Sequence, residues 1–329
     1  MIGVVVDGCP AGVSINIEKI QLDLARRRPG QSEITTGRQE KDEVEILSGL
    51  FNGKTTGAPI AMMIRNADTD SSEYEKRRFT PRPSHADYPA FVKYGGFEDY
   101  RGGGRFSARI TAGFVMAGSI AKQFLENSGV QISSKILEIG DENDPTKYKE
   151  KILEAKKIGD TVGGIIQGIA TGLPVGLGEP VFDRLDAELA KALFCLPAVK
   201  GVEFGSGFEG ARKLGSENND ALTFTPSPGG RGLGGGAIST KTNHAGGVVG
   251  GLSNGMPLVV NIAFKPIASI AKPQETIDLQ TGEKVLLETK GRFDPCPIPR
   301  ALPMVEAMIA IVLADLALRK KTLTTIHKN

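Results

Sequence analysis

The sequence holds few of the residues that most often carry metal, redox or nucleophilic chemistry. Its 329 residues include three cysteines, three histidines and no tryptophan. Cys9, Cys195 and Cys296 lie far apart without C-x-x-C spacing, which argues against a disulfide framework and for reduced thiols. No H-x-x-x-H spacing indicates a metal site, and no G-x-S-x-G motif indicates a serine nucleophile. We therefore expect no metal centre.

Neither sign of charge dominates, and no hydrophobic run is long. The chain has 40 Lys and Arg against 38 Asp and Glu, so the net charge of +2 gives no reason to expect nucleic-acid binding. The most apolar stretch, residues 308–318, is far shorter than the ~20 residues that a membrane span needs, and Asp315 interrupts it. No signal-peptide pattern is present. We expect a cytoplasmic protein with small-molecule ligands.

Glycine, in contrast, is abundant: 42 of 329 residues are glycine, nearly twice the usual share of about 7%. This frequency, without a repeat, indicates tight turns and close approach of the backbone to a ligand. Residues 68–104 contain no predicted regular element, and loops of that length inside a domain are usually functional. The glycine-rich residues 226–240 predict a mobile loop, and residues 321–329 predict a disordered tail.

Hydrophobic periodicity divides the rest of the chain into interleaved helices and strands. Helices are predicted over residues 16–28, 107–125, 183–193 and 303–320, with a helix end at 152–157. Strands are predicted over residues 2–6, 44–47, 60–64, 162–170 and 199–204 and within 248–262. No linker separates two halves, so we expect one domain, residues 1–329, of the α+β (mixed α/β) class.

Arginine-rich segments are the strongest candidates for chemistry. In residues 26–40, RRRPGQSEITTGRQE, three arginines close a helix, where a solvated cap is the simpler interpretation. In RPSHADY, residues 82–88, His85 lies beside Asp87 on a loop and could move protons, or be an ordinary surface histidine. In residues 99–109, DYRGGGRFSAR, three glycines lie among three arginines before a helix, as in an anion cradle, although a flexible turn remains open.

Weaker candidates lie further along the chain. His244 precedes glycines, Lys265 precedes a proline, and Arg292 lies near Asp294. Taken together, the segments indicate a protein that binds several phosphates or carboxylates and uses one or two histidines to move protons. A dinucleotide-dependent oxidoreductase is a weak alternative, because no strand–G-x-G-x-x-G–helix unit is present.

Long stretches of the chain resemble the chorismate synthase family. The matching segments are VDGCPAG, RRRPGQS, TTGRQEKDEVEILSG, RPSHADY, GLGEPVFDRLDAELA, NHAGGVVGG, AFKP and KGRFDPC, in the family's order. The resemblance implies a β-α-β sandwich that forms homotetramers. It also implies a lyase that eliminates phosphate from 5-enolpyruvylshikimate 3-phosphate to give chorismate, and that needs reduced FMN. Whether NADPH reduces the flavin on the same chain, or an outside reductase does, stays open.

The resemblance also implies site residues. His85 and Asp294 are the catalytic candidates. Arg27, Arg82 and Arg109 are the substrate-binding candidates, because guanidinium groups pair well with phosphate and carboxylate. The flavin-binding candidates are Arg105, Phe106, Ser107, Pro197, Ala198, Gly250, Lys265, Pro266, Ile267, Ala268, Ser269 and Arg292.

The sequence departs from the family pattern in several places. The family continues upstream of VDG with a strand and a Gly-Glu-Ser-His-Gly motif, so we expect an N-terminally truncated chain that lacks one catalytic histidine. Glu33 stands where many members carry an arginine, and Phe106, Ile267 and Phe293 replace hydrogen-bonding residues. A catalytically impaired homologue that binds flavin or a phosphorylated metabolite without turnover is therefore the alternative hypothesis.

Overall fold

Two β-sheets enclose a layer of helices. A computed structural model describes residues 1–67, 72–226, 236–289, 291 and 293–320. The helices are α1 (Ile17–Arg27), α2 (Ser72–Lys76), α3 (Asp87–Tyr94), α4 (Thr111–Glu126), α5 (Tyr148–Lys157), α6 (Leu185–Phe194), α7 (Gly207–Gly210), α8 (Gly215–Asn218) and α9 (Ile298–Lys320). Two 3-10 helices, Arg101–Phe106 and Ala108–Ile110, precede α4.

Within the described residues, the strands form one four-stranded sheet, one three-stranded sheet and four two-stranded ribbons. Their bounds are β1 (Ile2–Val6), β2 (Val44–Ile46), β3 (Leu50–Phe51), β4 (Lys54–Thr55), β5 (Ile60–Ile64), β6 (Gln131–Ile139), β7 (Gly164–Thr171), β8 (Val199–Phe204), β9 (Leu222–Pro226), β10 (Gly236–Thr240), β11 (Val248–Val249), β12 (Leu252–Ser253), β13 (Leu258–Phe264), β14 (Gln274–Ile277) and β15 (Lys284–Leu287).

Each main sheet buries one face against the helices. The larger sheet is antiparallel with the order β6-β7-β13-β8, and the smaller sheet has the order β1-β5-β2. Burial alternates along β13 and β5, so that Leu258, Val260 and Ile262 on one strand and Ile60 and Met62 on the other face the core. Among the described residues β1 pairs only with β5, and its outer edge has no strand partner.

The helix layer is built around α4 and α9, which pack against each other. A Cβ atom on Gly118 would lie 2.3 Å from the Cα of Ala307, so only glycine permits this approach. The helix α4 also contacts β1 and β6, while α9 contacts β6 and β7, which places the helices between the two sheets. The expected β-α-β sandwich of the α+β class is therefore confirmed.

The closing helix is longer than the sequence predicted. It begins at Ile298 and not at Pro303, which lies inside the helix. By length and composition Ile298–Arg319 could cross a membrane, but 78% of its most apolar window is buried inside the structure. The helix is apolar along its length because it packs against α4, α1 and the larger sheet, as a core helix does.

Two loop predictions are corrected by the structure. Residues 72–104 contain α2, α3 and most of a 3-10 helix, elements too short for periodicity to reveal. Residues 236–240 form β10, which pairs with β9 so that Ile238 lies opposite Phe224. This cross-strand pair has no signature in local sequence. The remainder of the predicted mobile loop, residues 227–235, and the predicted tail, residues 321–329, lie outside the described residues.

Candidate active site

A cavity of about 490 Å³ lies at one end of the helix layer. Its walls come from the end of α1, the segment before α3, the 3-10 helices before α4, the loops after α6 and β13, and the start of α9. A volume of this size is typical of small-molecule sites. The predicted residues that line it are Arg27, Arg82, His85, Arg105, Phe106, Ser107, Pro197, Ala198, Lys265, Pro266, Ile267, Ala268, Ser269 and Asp294.

Arg27 is the most deeply buried cation of the site, with 1% of its surface exposed. It is the last residue of α1, and its Nε and Nη2 donate to Thr111 Oγ1 (3.1 Å) and the Ala108 carbonyl (2.9 Å). Its Nη1 donates to Asp42 Oδ2 at 3.2 Å. These bonds use three of the five N–H groups of the guanidinium, so two remain for a ligand.

Asp42 holds two arginines at once. Besides Arg27, its carboxylate accepts a 2.5 Å hydrogen bond from Arg109 Nη1, and the side chain is fully buried. Its backbone has φ +51°, a left-handed conformation that aspartate tolerates better than most residues. The strained backbone and complete burial indicate that this carboxylate is kept in place for the two cations.

Burial lowers the pKa of Arg27 to about 9, and the nearby cations Arg300 and Arg109 act in the same direction while Asp42 opposes them. The charged form of Arg27 is therefore costly in this cavity without a further anion. An anionic ligand would relieve this cost by supplying the opposite charge.

His85, Asp87 and Arg82 form a second cluster on the cavity wall. Arg82 donates from Nε to Asp87 Oδ2 and from Nη2 to Asp87 Oδ1, both at 2.8 Å. A further 2.9 Å bond runs from Arg82 Nη1 to Ser269 Oγ. The His85 Nδ1 atom lies 2.6 Å from Asp87 Oδ1. The same Nδ1 atom lies 3.0 Å from Nη2 of Arg82. When Nδ1 carries the proton and donates a hydrogen bond to Asp87, Nε2 is the nitrogen that can exchange a proton with a ligand.

Asp87 stays ionised at neutral pH. Burial alone would raise the pKa of its carboxyl group, but hydrogen bonds from Arg82 and His85 outweigh burial and hold the pKa well below its ordinary value. The negative charge at Asp87 holds the His85 ring in its orientation through the 2.6 Å contact with Nδ1.

Asp294 also lines the cavity and is fixed by hydrogen bonds. Its Oδ1 accepts from the Thr36 backbone N–H at 2.8 Å, and its Oδ2 pairs with Arg300 Nη1. Arg300, in the first turns of α9, also donates from Nε to the Arg27 carbonyl at 2.9 Å. These bonds join the segment that follows α1 to the start of α9.

The triple-glycine segment shapes the cavity edge. Gly102, Gly103 and Gly104 all have positive φ, and a Cβ on Gly104 would lie 2.3 Å from the Asp99 carbonyl oxygen. The turn presents Arg105, which makes no hydrogen bond or ion pair with any residue in the described part of the chain, and Phe106 to the cavity. Ser107 caps the following 3-10 helix.

Other predicted residues lie elsewhere. Arg109 does not line the cavity; its guanidinium bonds Asp42 and Asn66 behind the wall. Gly250 lies in the turn between β11 and β12 and is not part of the wall. Arg292 lies outside the described residues. Glu33 pairs with Lys149 of α5, which lowers the pKa of its carboxyl group.

Sequence reasoning missed Asp42, Thr111 and Arg300. Each makes contacts with Arg27 that join distant segments: Thr111 is 84 residues away in sequence, and Arg300 is 273 residues away. For Asp42, the sequence offered one signal, the concentration of charge in QEKDE, residues 39–43, and such a segment is ordinarily a solvated loop. No cluster of three metal-ligating side chains occurs in the part of the chain that was searched, namely the described residues.

The fold and the cavity define a class of protein. Three arginine–aspartate pairs and a histidine held by one of these aspartates lie around one small-molecule cavity in an α+β sandwich. Such a concentration of cations beside a histidine is typical of enzymes that act on anionic small molecules.

Comparison with known proteins identifies the family. A chorismate synthase family profile matches residues 1–318. The chain is 46% identical to the chorismate synthase of Korarchaeum cryptofilum over 97% of this chain and 92% of the relative. It is 48% identical to that of Dehalococcoides mccartyi over the same shares. A crystal structure of chorismate synthase superposes with a TM-score of 0.71 at 31% identity, covering 96% of this chain and 87% of the other. The chain belongs to the chorismate synthase family and is a lyase.

Proposed function

We propose that this protein removes phosphate from 5-enolpyruvylshikimate 3-phosphate by 1,4-elimination, giving chorismate, and that it requires reduced FMN. The observation that carries the proposal is one cavity that is lined by His85 and by the three arginines Arg27, Arg105 and Arg300. The substrate bears three anionic groups, one phosphate and two carboxylates, and guanidinium groups pair well with such groups. The lowered pKa of Arg27 supports the same conclusion, because a bound anion would restore it.

The residues of the cavity fit a flavin mononucleotide. Phe106 and Ile267 offer apolar surface for a ring, Arg105 is a cation without a partner among the described residues, and Ser107 and Ser269 offer hydroxyl groups. The replacements at Phe106 and Ile267 remove hydrogen bonds but leave the apolar wall. When bound, reduced FMN would supply electron density as the phosphate leaves.

The protein's own residues have separate roles in this proposal. Arg27 and Arg300 bind the anionic groups of the substrate and hold it still. His85 exchanges a proton through Nε2 while Nδ1 donates a hydrogen bond to the ionised Asp87 over 2.6 Å. Arg82 keeps Asp87 in position through its two 2.8 Å bonds and so acts on His85 indirectly. Asp294 orients Arg300 through their ion pair.

The test is chorismate formation by the purified chain under anaerobic conditions with FMN reduced by dithionite. NADPH with oxidised FMN is run in parallel, to show whether the chain reduces the flavin itself. We expect His85→Ala to lower the rate about 10²–10⁴-fold, the usual contribution of a general acid or base. FMN affinity should change little. His244→Ala is the matched control, because His244 is bound to Asn218 and Asp220 outside the cavity.

Two results would contradict parts of this proposal. An unchanged rate in His85→Ala would remove the proton role of His85. Flavin and substrate binding without turnover in the unmodified chain would favour the impaired homologue.

We also propose self-association into a homotetramer. Several large apolar side chains are exposed, among them Phe182 at 92%, Leu222 at 75% and Phe208 at 72%. Exposed apolar side chains of this size are typical of contact surfaces when they form patches. Light scattering should give four times the subunit mass of 34.9 kDa.

A further inference from the structure

Four charged side chains form a cluster between three helices, away from the active-site cavity. Asp23 and Arg26 belong to α1, Lys122 belongs to α4 and Glu306 belongs to α9. We call these four residues the helix charge cluster. None of them lines the active-site cavity, and none of the functions proposed above uses them.

Glu306 is the centre of the helix charge cluster, and only 5% of its side chain is exposed. Its two carboxylate oxygens accept hydrogen bonds from both terminal nitrogens of Arg26, from Nη2 at 2.6 Å and from Nη1 at 2.7 Å. The Nζ atom of Lys122 lies 3.2 Å from Glu306 and 2.6 Å from Asp23. The hydroxyl group of Ser134, on β6, donates a further 2.8 Å bond to Glu306. The cluster therefore joins α1, α4, α9 and the larger sheet.

The charge of Glu306 is balanced within the cluster. Burial alone would raise the pKa of its carboxyl group, but the bonds from Arg26 and the charge of Lys122 outweigh burial and hold the pKa below its ordinary value. A buried ion pair adds little net stability over an apolar pair of similar size, because both charges lose their water. Two parallel bonds between a guanidinium and a carboxylate do fix the relative orientation of the two groups. The pair is therefore better suited to setting geometry than to adding stability.

The two helices that the pair joins also carry cations of the cavity. Arg27 directly follows Arg26 at the end of α1. Arg300 precedes Glu306 by six residues, which is about 9 Å along α9. Arg300 also donates from Nε to the Arg27 carbonyl at 2.9 Å, a carbonyl at the end of α1 that has no partner within the helix. The end of α1 is thus attached to α9 at two points, which fixes both the distance and the rotation between them.

We propose that the Arg26–Glu306 pair is a positioning pair for substrate binding. It holds α1 and α9 in the register in which Arg27 and Arg300 direct their guanidinium groups at one ligand, and it does not itself contact that ligand. The proposal rests on the proposed function, since it takes Arg27 and Arg300 as groups that bind the substrate. The imidazole that exchanges a proton is held within residues 82–87. Loss of the pair should therefore weaken substrate binding and leave proton exchange little changed.

The test compares stability with substrate binding in Arg26→Met and in the double variant Arg26→Met/Glu306→Met. Arg26→Met leaves the buried carboxylate without its main partner and should lower the urea midpoint of unfolding. The double variant replaces the pair by two apolar side chains and should recover much of that midpoint. We expect both to raise the KM for 5-enolpyruvylshikimate 3-phosphate about tenfold or more, with kcat changed by less than about threefold. A recovered midpoint with a raised KM is a result that a purely stabilising pair would not give.

Arg26→Lys gives an answer even where the double variant fails to fold. Lysine keeps the charge but cannot form the two parallel bonds, so KM should rise while the urea midpoint changes little. The control is the double variant Lys19→Met/Glu126→Met, which removes a half-exposed ion pair between α1 and α4. It should leave both KM and the midpoint unchanged.

Titration calorimetry in the presence of oxidised FMN separates this proposal from the proposed function. The substrate is titrated as one probe, and pyrophosphate as an anion that takes no part in the reaction. An unmodified chain that binds either anion without forming chorismate would contradict the proposed function alone, and Arg26→Met should still weaken that binding about tenfold.

Three outcomes would overturn the proposal while chorismate formation stands. The first is a KM in the double variant that recovers together with the urea midpoint, which would make the pair a stabilising contact only. The second is a fall in kcat at an unchanged KM, which would mean that the pair acts on the reaction and not on binding. The third is an equal rise of KM in the Lys19→Met/Glu126→Met control.

Discussion

Two neighbouring cavities differ in how their buried charges are balanced. In the active-site cavity Arg27, Arg82 and Arg300 each pair with an aspartate, and the pairs are made before any ligand binds. The second cavity, of about 540 Å³ and lined by residues between 74 and 106, carries two buried polar atoms that the described chain leaves unpaired. These atoms belong to Arg77 and Glu98, and the cavity shares Arg82 with the first. The active-site arrangement is preorganised, since its cations are already oriented.

The largest expected effect on stability comes from removing the carboxylate of Asp42, which neutralises two buried arginines. Asp42→Ala leaves the buried guanidinium groups of Arg27 and Arg109 without their shared carboxylate, so we expect a loss of about 3–5 kcal/mol in unfolding free energy. Urea denaturation measures it. The control Glu43→Ala removes a neighbouring carboxylate that is 73% exposed and should change stability by less than about 0.5 kcal/mol. Equal losses in the two variants would contradict the role given to Asp42.

A smaller effect on stability is expected from pH, through the thiol of Cys296, which lies two residues after the cavity residue Asp294. Burial raises the pKa of Cys296 to about 12, and Asp294 acts in the same direction. In the unfolded chain the thiol loses its proton at about pH 8.5, whereas in the folded protein it keeps the proton. The free energy of unfolding should therefore fall by about 1.4 kcal/mol for each pH unit above that value.

The free energy of unfolding, measured by urea denaturation at pH 8, 9, 10 and 11, tests this slope when the unmodified protein is compared with two cysteine variants. Cys296→Ala should remove that part of the decline, while Cys195→Ala, which removes an exposed thiol, should leave it in place. A slope that is the same in both variants would mean that Cys296 gains no protection from burial.

The smallest effect on stability is expected at Arg77, where we expect a substitution to stabilise the protein. Arg77→Met removes an unpaired buried donor that costs about 1–3 kcal/mol and a cation–π contact with Tyr74 worth about 0.5–1 kcal/mol. We expect the free protein to become more stable by about 1 kcal/mol. Arg82→Met is the counterpart across the shared wall, and it should destabilise because it leaves Asp87 without its cation. Destabilisation in both would show that the cavities do not differ in charge balance.

Much of the candidate active site was predictable from residue types and from the family resemblance. Arg27, Arg82 and His85 were predicted from cationic, glycine-lined segments and the family resemblance, and all three line one cavity. Arg109 was predicted on the same grounds but faces Asp42, since the sequence carries no signal for which arginine a buried carboxylate will neutralise. The second cavity was not predictable, because α2 and α3 are too short to show periodicity.

The sequence by itself determined the alternating burial of the strands, the apolar faces of α4 and α9, and the glycine turn before the anion site. These follow from side-chain spacing and backbone freedom, which are local properties. Only the tertiary structure decided which charges meet. Thr36 and Asp294 are 258 residues apart in sequence, and Arg82 and Ser269 are 187 apart, yet each pair is joined by a hydrogen bond. Such pairing depends on packing of the sheets around the helices, which brings distant segments together and removes the water that would otherwise solvate each charge.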